Sequence, residues 1–483
     1  MIRLLHIYLP TRMLLLVACE VLVIVLGFLC TSNFDSLGPG AAGIYVLGIS
    51  KVIAVAGVFT LFMWYFDLYD PLYITSRREL IARVPQVFGC ATLAMILLYR
   101  IFPALRLGTL NFLFGMVTAW WMLVLCREGF LWFTNSHAMT GKVLILGNGT
   151  LAESLMEEIR NRPELGLEVA GCLNYSEKWR LTGQPNFAAD TLAEAVTKLN
   201  AHIIVVALQD RRGHIPLLEL LSLKVKGIRI EDGVEVYERV CGKIPVESLN
   251  PSALLFCKGF SPSKTDRFLK QATSVVFSII GLLVLWPLML VVAIAIKLES
   301  PGPVLLRQER VGEDGKSFTI LKFRSMRQDA ERDGPRWAAA VDSRITRVGA
   351  FIRRCRIDEL PQFFNILRGE MYLIGPRPER PFFVERLRRE IPFYDQRHVL
   401  KPGITGWAQL KSGYADSTAA SIEKLQYDLY YIKHLSLGLD IVITLLTIKT
   451  MLTGRERAVR RQPSVESISR KEGAAVPLLR ARS

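Results

Sequence analysis

The stretch RRCRIDELPQFFNILRGEMYLIGPRP (353–378) combines an adjacent pair of acids with a short helical pattern. Its apolar residues at 360, 363, 364 and 367 share one face of a helix, and Pro361 suits the first turn, where a missing N–H costs nothing. Asp358 and Glu359 therefore lie at a helix N-terminus, where partial positive charge favours carboxylates. Acids at this position are usually helix caps, so a structural role and a catalytic role both stay open.

Arginines surround the acid pair in a number that exceeds what a helix cap needs. They are Arg353, Arg354, Arg356 and, further along the chain, Arg377. Pro376 and Pro378 flank Arg377 and stiffen the backbone on both sides of it. Because guanidinium groups bind phosphate oxygens in bidentate geometry, this surplus indicates a site for a phosphorylated substrate.

The segment RIDELPQFFNILRGEMYLIGPRPERP (356–381) closely resembles the signature of the bacterial sugar transferases, which are polyprenyl-phosphate hexose-1-phosphate transferases. The resemblance extends over 264–453 and includes the motifs RQERVG (307–312), KFRSM (322–326) and KPGITGWAQL (401–410). On their own, the first two motifs are also typical of a charged strand–turn–strand surface. The resemblance implies transfer of a sugar 1-phosphate from a UDP-sugar to polyprenyl (undecaprenyl) phosphate, with release of UMP, at the start of exopolysaccharide or glycan repeat synthesis.

The chemistry and the resemblance together imply roles for individual residues. Asp358 is the expected nucleophile, forming an aspartyl phosphosugar, and Glu359 is the expected ligand of Mg²⁺, a cation that suits carboxylates and phosphate oxygens. Direct transfer, with both acids as metal ligands, stays open. The residues expected to bind substrate are Arg353, Arg377, Pro376, Pro378, Lys322, Arg324 and Arg310.

Composition places the chain in a membrane. Of its 483 residues 51% are hydrophobic, the mean hydropathy is +0.29 and the formal net charge is +16. The sequence has no helix-turn-helix, zinc-finger or RNA-binding signature, so anionic lipids and phosphorylated substrates are the expected partners rather than nucleic acid. A homodimer is compatible with the sequence.

Apolar runs at about 13–30, 43–66, 86–101 and 110–126 predict a bundle of four transmembrane helices in residues 1–135. The excess of Lys and Arg on one side predicts that both ends of this unit lie in the cytoplasm. The protein is therefore expected in a bacterial inner membrane, with its catalytic domain facing the cytoplasm.

Residues 140–250 alternate strand and helix patterns in a βαβαβ order, which predicts a Rossmann-like domain with a parallel sheet. Gly147 and Gly149 could hold a pyrophosphate at a helix N-terminus. The second strand ends in Asn174 rather than in the acid that binds ribose, so the nucleotide signal is weak and a regulatory or packing role is the alternative.

Four spans before a nucleotide fold also describe membrane-bound nucleotide-sugar dehydratases and epimerases. These enzymes need a Tyr-x-x-x-Lys pair, but Tyr175 and Tyr237 are followed four residues later by Trp179 and Cys241. That counts against this alternative. A non-catalytic scaffold for polysaccharide assembly is a second alternative.

Residues 264–455 are expected to form a mostly α catalytic domain that contains a membrane segment at 272–297. Basic residues flank both ends of that segment and Pro287 lies near its middle, a pattern that predicts a broken, re-entrant helix rather than a crossing. The related family usually has Ser-Pro at the break, whereas this chain has Trp286-Pro287. The basic tail 456–483 is predicted to be disordered and to face lipid.

Overall fold

The computed structural model describes twelve stretches of the chain: residues 2–4, 7–32, 41–70, 77–135, 140–147, 149–175, 179–181, 184–208, 216–249, 259–327, 344–412 and 417–453. The tail predicted at 456–483 lies outside them. The chain forms two compact units, residues 1–248 and residues 249–483. The first unit contains both the predicted spans and the α/β region.

The four predicted spans are helices. They are α1 (Thr11–Ser32), α2 (Ala41–Tyr65), α3 (Arg77–Ile101) and α4 (Thr109–Asn135), preceded by a hairpin of β1 (Ile2–Leu4) and β2 (Ile7–Leu9). Among the described residues, α1, α3 and α4 are long and apolar enough to cross a membrane, and the part of α2 from Ile49 to Tyr65 is a shorter apolar helix. The residues predicted to enter the bilayer therefore form helices of membrane length.

Aromatic rings and glycines pack the bundle. The Phe59 ring lies edge-on to the Phe88 ring at 5.0 Å, and both side chains are buried. Helices α1 and α4 approach closely because Gly27 and Gly115 lack side chains: a Cβ on Gly115 would lie 2.4 Å from the Phe28 ring. Small residues at helix contacts are the usual means of close packing in a membrane.

A buried ion pair inside the bundle is absent from the sequence-based prediction. Arg127 of α4 donates from Nε to Glu20 Oε1 of α1 over 2.5 Å, and Glu20 is fully buried. Arg127 also donates to the carbonyl of Leu68, just past the end of α2, over 3.1 Å. The pair therefore ties three elements together, in a setting where an unpaired charge would be strongly unfavourable.

The α/β region is a six-stranded sheet in the order β6-β5-β4-β3-β7-β8. Its strands are β3 (Gly141–Leu146), β4 (Leu167–Tyr175), β5 (Trp179–Leu181), β6 (Gln184–Ala189), β7 (Ile203–Val206) and β8 (Arg229–Asp232). Strands β4, β3, β7 and β8 pair in parallel, as predicted. Strands β5 and β6 add an antiparallel edge that was not predicted. The helices of this region are α5 (Thr150–Arg160), α6 (Leu192–Leu199), α7 (Leu217–Val225) and α8 (Gly233–Cys241).

Close packing accounts for the first glycine of the predicted nucleotide turn. Gly147 has φ +145°, and a Cβ there would lie 2.4 Å from the carbonyl oxygen of Ala207 at the end of β7. Glycine tolerates this conformation and this approach at no steric cost. Gly149 is the N-cap of α5. The weak cofactor prediction at Gly147 and Gly149 stays a prediction.

The second unit is mostly helical, as predicted. Its helices are α9 (Lys264–Glu299), α10 (Arg347–Arg354), α11 (Gln362–Leu367), α12 (Pro381–Glu390), α13 (Trp407–Lys411), α14 (Thr418–Lys433) and α15 (Leu437–Thr453). Two small sheets join them. The hairpin of β9 (Leu305–Val311) and β10 (Ser317–Phe323) is antiparallel, and β11 (Tyr372–Ile374) pairs in parallel with β12 (Gly403–Thr405).

Helix α9 differs from the predicted helix–break–helix. Its helical conformation runs without interruption from Lys264 to Glu299, with Pro287 inside it. A single proline removes only its own N–H, which leaves the carbonyl of Leu283 without a helical donor and favours a kink. Pro287 therefore lies in a continuous helix and not at a break between two helices.

Candidate active site

The acid pair lies in a tight turn between two helices. Helix α10 ends at Arg354, Arg356 then adopts a left-handed conformation with φ +57°, and Ile357–Glu359 form a 3-10 turn. The predicted helix begins only at Gln362, so the acids precede it instead of forming its first turn. A left-handed non-glycine residue stores strain, and such residues cluster at functional sites.

Two cations hold the carboxylate of Glu359. Lys322 Nζ and Arg377 Nη2 each donate to Glu359 Oε1 over 3.1 Å, and Glu359 is 6% exposed. Burial alone would raise the pKa of Glu359, but attraction to Lys322 and Arg377 lowers this pKa to about 2. Glu359 is therefore an anion fixed in position at neutral pH.

The carboxylate of Asp358 differs from that of Glu359 in its hydrogen bonds and in its pKa. Within the described part of the chain, the structure gives this carboxylate no hydrogen bond. Burial and repulsion from Glu359 raise the pKa of Asp358, against the attraction of Lys322, Arg377 and Arg353. Adjacent acids thus have separate properties: Glu359 is held by two cations, whereas Asp358 is half-buried, has no hydrogen bond to a described residue and is more basic than an ordinary aspartate.

Arg377 is oriented by a residue that the sequence did not single out. Its Nη1 donates to Gln409 Oε1 over 3.0 Å, and Gln409 Nε2 donates to the carbonyl of Ile404 over 3.2 Å. Gln409 lies in the KPGITGWAQL motif, which is part of the family resemblance but from which no site residue was predicted. The amide of Gln409 and the carboxylate of Glu359 together fix the guanidinium.

Arg310 and Arg324, two further residues predicted to bind substrate, make hydrogen bonds to other parts of the protein. Arg310 Nη1 donates to the carbonyl of Pro378 over 3.0 Å, so it holds the backbone beside Arg377. Arg324 donates to the carbonyls of Ser300 and Pro301 over 2.7 and 3.0 Å, just past the end of α9. Arg310 also donates to Gln308 Oε1 over 2.5 Å and Arg324 to Ser300 Oγ over 2.8 Å, so both arginines bind backbone and side-chain groups of the protein.

Arg353 approaches the acid pair from the last turn of α10. The first turn of that helix is capped by the carboxylate of Glu299, which accepts from Arg347 N over 2.7 Å. Arg353 is half-buried and lowers the pKa of Asp358 by attraction. Helix α10 thus connects the end of the long helix to the site.

Asn365 joins the strand that carries Lys322 to the helix that follows the acids. Its Nδ2 donates to the carbonyl of Thr319 over 2.7 Å, and its Oδ1 accepts from Leu321 N over 3.0 Å. The side chain is fully buried and pairs with β10 as a neighbouring peptide group would. Asn365 therefore fixes the distance between Lys322 and the turn that holds Glu359.

The donor set is compatible with a Mg²⁺ ion that relies partly on substrate. Among the described residues, no group of three or more His, Cys, Asp or Glu side chains could hold a metal. Asp358 and Glu359 supply two carboxylates. Mg²⁺ is often bound by one or two carboxylates together with phosphate oxygens of a substrate, so these residues fit the ion in that mode.

The chain was compared with known proteins. A family model described as bacterial sugar transferase matches residues 265–454. The chain is 34% identical over 337 residues to the UDP-glucose:undecaprenyl-phosphate glucose-1-phosphate transferase of Escherichia coli (strain K12), covering 68% of this chain and 72% of that protein. The chain belongs to the bacterial sugar transferase family.

Two further relatives of this sugar transferase support the assignment. It is 40% identical over 277 residues to the UDP-N-acetylgalactosamine-undecaprenyl-phosphate N-acetylgalactosaminephosphotransferase of Aeromonas hydrophila, covering 57% of this chain and 63% of the relative. It is 41% identical over 197 residues to the exopolysaccharide production protein PSS of Rhizobium leguminosarum bv. phaseoli, covering 39% of this chain and 97% of the relative. The match thus spans less than two thirds of the Aeromonas protein and nearly all of the Rhizobium protein.

Proposed function

We propose that the protein transfers a sugar 1-phosphate from a UDP-sugar to undecaprenyl phosphate, with Asp358 as the nucleophile. The observation that carries the proposal is the contrast between the two acids. Glu359 is held by Lys322 and Arg377, whereas Asp358 has no hydrogen bond to the described residues and a raised pKa. A carboxylate without a hydrogen-bond partner among the described residues, beside fixed cations, is suited to attack a phosphorus atom whose charge those cations neutralise.

The reaction has two steps. In the first, a carboxylate oxygen of Asp358 attacks the phosphorus nearest the sugar, and the bond from this phosphorus to the bridging oxygen breaks. UMP leaves with that electron pair. In the second, a phosphate oxygen of undecaprenyl phosphate attacks the same phosphorus and the bond to Asp358 breaks. The product is the sugar diphosphate of undecaprenol, and the aspartate returns to its ionised form.

The neighbouring charges have distinct roles in these steps. Arg377, fixed by Gln409, presents its guanidinium to the diphosphate of the donor, and Lys322 supplies a second positive charge. Arg353, in the last turn of α10, stabilises the transferred phosphoryl group. A bound Mg²⁺, held by Glu359 and phosphate oxygens, would neutralise charge that develops on the diphosphate. Arg310 and Arg324 support the backbone of the site.

The surface of the second unit supports placement at a bilayer. Helix α11 exposes two large apolar side chains, with Phe364 42% and Leu367 41% exposed, while Phe363 and Ile366 pack in the core. Large apolar side chains along α9 are also exposed, including Leu283, Val284 and Trp286. Exposed apolar patches of this extent mark interaction surfaces, and lipid is the medium that matches their composition.

The contacts of α9 support a re-entrant helix. On one side of Pro287, Ser274 Oγ accepts from Leu373 N over 3.0 Å. On the other side, Glu299 accepts from Arg347 N over 2.7 Å. A helix that crossed the bilayer would carry one of these contacts to the far side, away from the rest of the catalytic unit. These contacts support the proposal that α9 kinks at Pro287 without losing its helical conformation and that both of its ends lie at the cytoplasmic face, where UDP-sugars are found.

The α/β region gives little support to the alternative in which the protein is a dehydratase or epimerase. Tyr237 is 5% exposed and packs in the core beneath the sheet with Val143 and Ile145, so its hydroxyl does not face a substrate cleft. A packing or regulatory role for the sheet agrees better with the close contact at Gly147.

The release of UMP in the absence of lipid tests the proposal. Detergent-purified protein is mixed with Mg²⁺ and each of several UDP-sugars, without undecaprenyl phosphate. We expect a burst of about one UMP per protein molecule, followed by turnover only when lipid is added. UMP release that strictly requires lipid would favour direct transfer, and no release with or without lipid would contradict the function.

A further inference from the structure

The loop that carries Arg377 is held by its carbonyl groups. This arginine loop (residues 375–379) contains two prolines, so it has few N–H groups with which to bind its surroundings. Four successive carbonyls accept hydrogen bonds: Pro376 from Gly403 N at 2.9 Å, Arg377 from Arg397 Nη2 at 3.0 Å, Pro378 from Arg310 Nη1 at 3.0 Å and Glu379 from Val311 N at 2.9 Å.

These hydrogen bonds and the two prolines together restrict the backbone angles of the arginine loop. A proline ring fixes the angle φ of its own residue but leaves ψ free. A hydrogen bond to the carbonyl restricts the peptide plane and therefore ψ. The arginine loop is thus restricted at both angles by groups that come from other parts of the chain, and the side chain of Arg377 leaves from this fixed backbone.

Arg397 is the buried member of this set. It is 3% exposed, and its guanidinium lies over the Tyr394 ring at 5.3 Å. Its Nη2 and Nε lie 2.8 and 3.1 Å from Asp428 Oδ2, and its Nη1 donates to the hydroxyl of Tyr394 over 2.8 Å. Asp428 is 1% exposed. The guanidinium is held by Asp428 and Tyr394 before it reaches the carbonyl of Arg377.

We propose that Arg397, fixed by Asp428, is a positioning residue that aims Arg377 at Glu359 and at the diphosphate of the donor. The part concerning the donor rests on the proposed function. Among the described residues, Arg397 has no hydrogen bond or ion pair to Asp358 or Glu359, so it acts through the backbone of Arg377. A lysine could keep the charge opposite Asp428, but it lacks the planar fork that binds Asp428 and a carbonyl at once.

A double-mutant cycle tests this coupling. We expect Arg397→Lys to lower kcat/KM for the UDP-sugar roughly tenfold in the otherwise unaltered protein. In the Arg377→Ala background the same change should have almost no further effect, because the side chain that Arg397 positions is already gone. An equal loss in both backgrounds would overturn the proposal.

A second variant guards against failure to fold. Asp428→Asn keeps the shape of the side chain and weakens its hold on Arg397, so we expect a smaller loss with the same dependence on Arg377. Arg388→Lys is the matched control, because Arg388 pairs with Asp395 on the exposed surface at 2.7 Å. It should leave kcat/KM unchanged.

Hydrogen–deuterium exchange separates this inference from the proposed function. In Arg397→Lys we expect faster exchange at the amides of Gly375, Arg377 and Glu379, and no change in α9 or α14. Faster exchange throughout the unit, or no change in the arginine loop, would contradict a positioning role. This readout decides the role of Arg397 even if the protein proves inactive with every UDP-sugar, the result that would reject the function.

Discussion

Arg377 and Glu359 form an ion pair across the candidate site, with Nη2 of the arginine 3.1 Å from Oε1 of the glutamate. The pair joins the arginine loop to the acid turn, two segments that are 18 residues apart in sequence. Lys322 donates to the same oxygen. This shared oxygen explains why the pKa of Glu359 is lowered while that of the adjacent Asp358 is raised.

Glu359→Gln should destabilise the protein by about 3 kcal/mol at neutral pH, because it leaves two buried cations without their anion. The pKa of Glu359 is lowered from 4.5 to about 2, so its contribution is present above pH 4.5 and is lost as pH falls toward 2. Thermal unfolding in detergent at pH 7 measures the effect. Glu390→Gln, which removes an exposed carboxylate paired with Arg386, is the control and should be nearly neutral.

Asp358→Asn should abolish turnover and raise the melting temperature. The pKa of Asp358 is raised in the folded protein, so ionisation of this group opposes folding: the stability it contributes is present at low pH and is lost as pH rises through that pKa. An uncharged amide of the same shape removes this unfavourable charge. Paired measurements of UMP release and thermal unfolding at pH 7 test both effects. A variant less stable than the parent protein would show that the ionised carboxylate is stabilised in the fold.

Arg353→Gln should move the acid limb of the pH–rate profile to higher pH. Activity needs ionised Asp358, whose pKa already lies above its ordinary value, and Arg353 is one of the charges that hold it down. Removing that charge raises the pKa further. Arg354→Gln, on the exposed side of α10, is the control. Acid limbs that coincide for the two variants would exclude Arg353 from the electrostatics of Asp358.

Asn365→Leu should cost about 1–3 kcal/mol, because it leaves the N–H of the buried Leu321 without a partner and removes the donor to the carbonyl of Thr319. It should also lower activity, since the strand that carries Lys322 is no longer fixed to the acid turn. Thermal unfolding and kcat are the measurements. Asn161→Leu changes an exposed asparagine at the end of α5 and should have little effect on either.

Local sequence patterns predicted the elements better than the contacts between them. The parallel strands of the sheet, the four spans and the helix after the acids follow from hydrophobic periodicity. The residues that complete the site do not: Asn365, Arg397 and Gln409 meet partners 20 to 46 residues away, and no local period encodes such pairs.

Helix α11 illustrates a second limit. Its apolar face was identified from spacing alone, but spacing does not tell whether that face meets a protein core or a lipid. The structure exposes Phe364 and Leu367 but packs Phe363 against the core, so the predicted apolar face is divided between the surface and the core. The ion pair of Glu20 and Arg127 was missed for a related reason, because each residue alone resembles an isolated charge beside or within a span.

The measurement that tests the central claim most directly is mass spectrometry of the intact protein and its peptides. The protein is incubated with Mg²⁺ and UDP-sugars in the absence of lipid, with Asp358→Asn in parallel. We predict a sugar-phosphate adduct on the peptide that contains Asp358, lost on addition of undecaprenyl phosphate and absent from the variant. Lipid-dependent turnover without any adduct, or full turnover by Asp358→Asn, would contradict the assignment of Asp358 as the nucleophile.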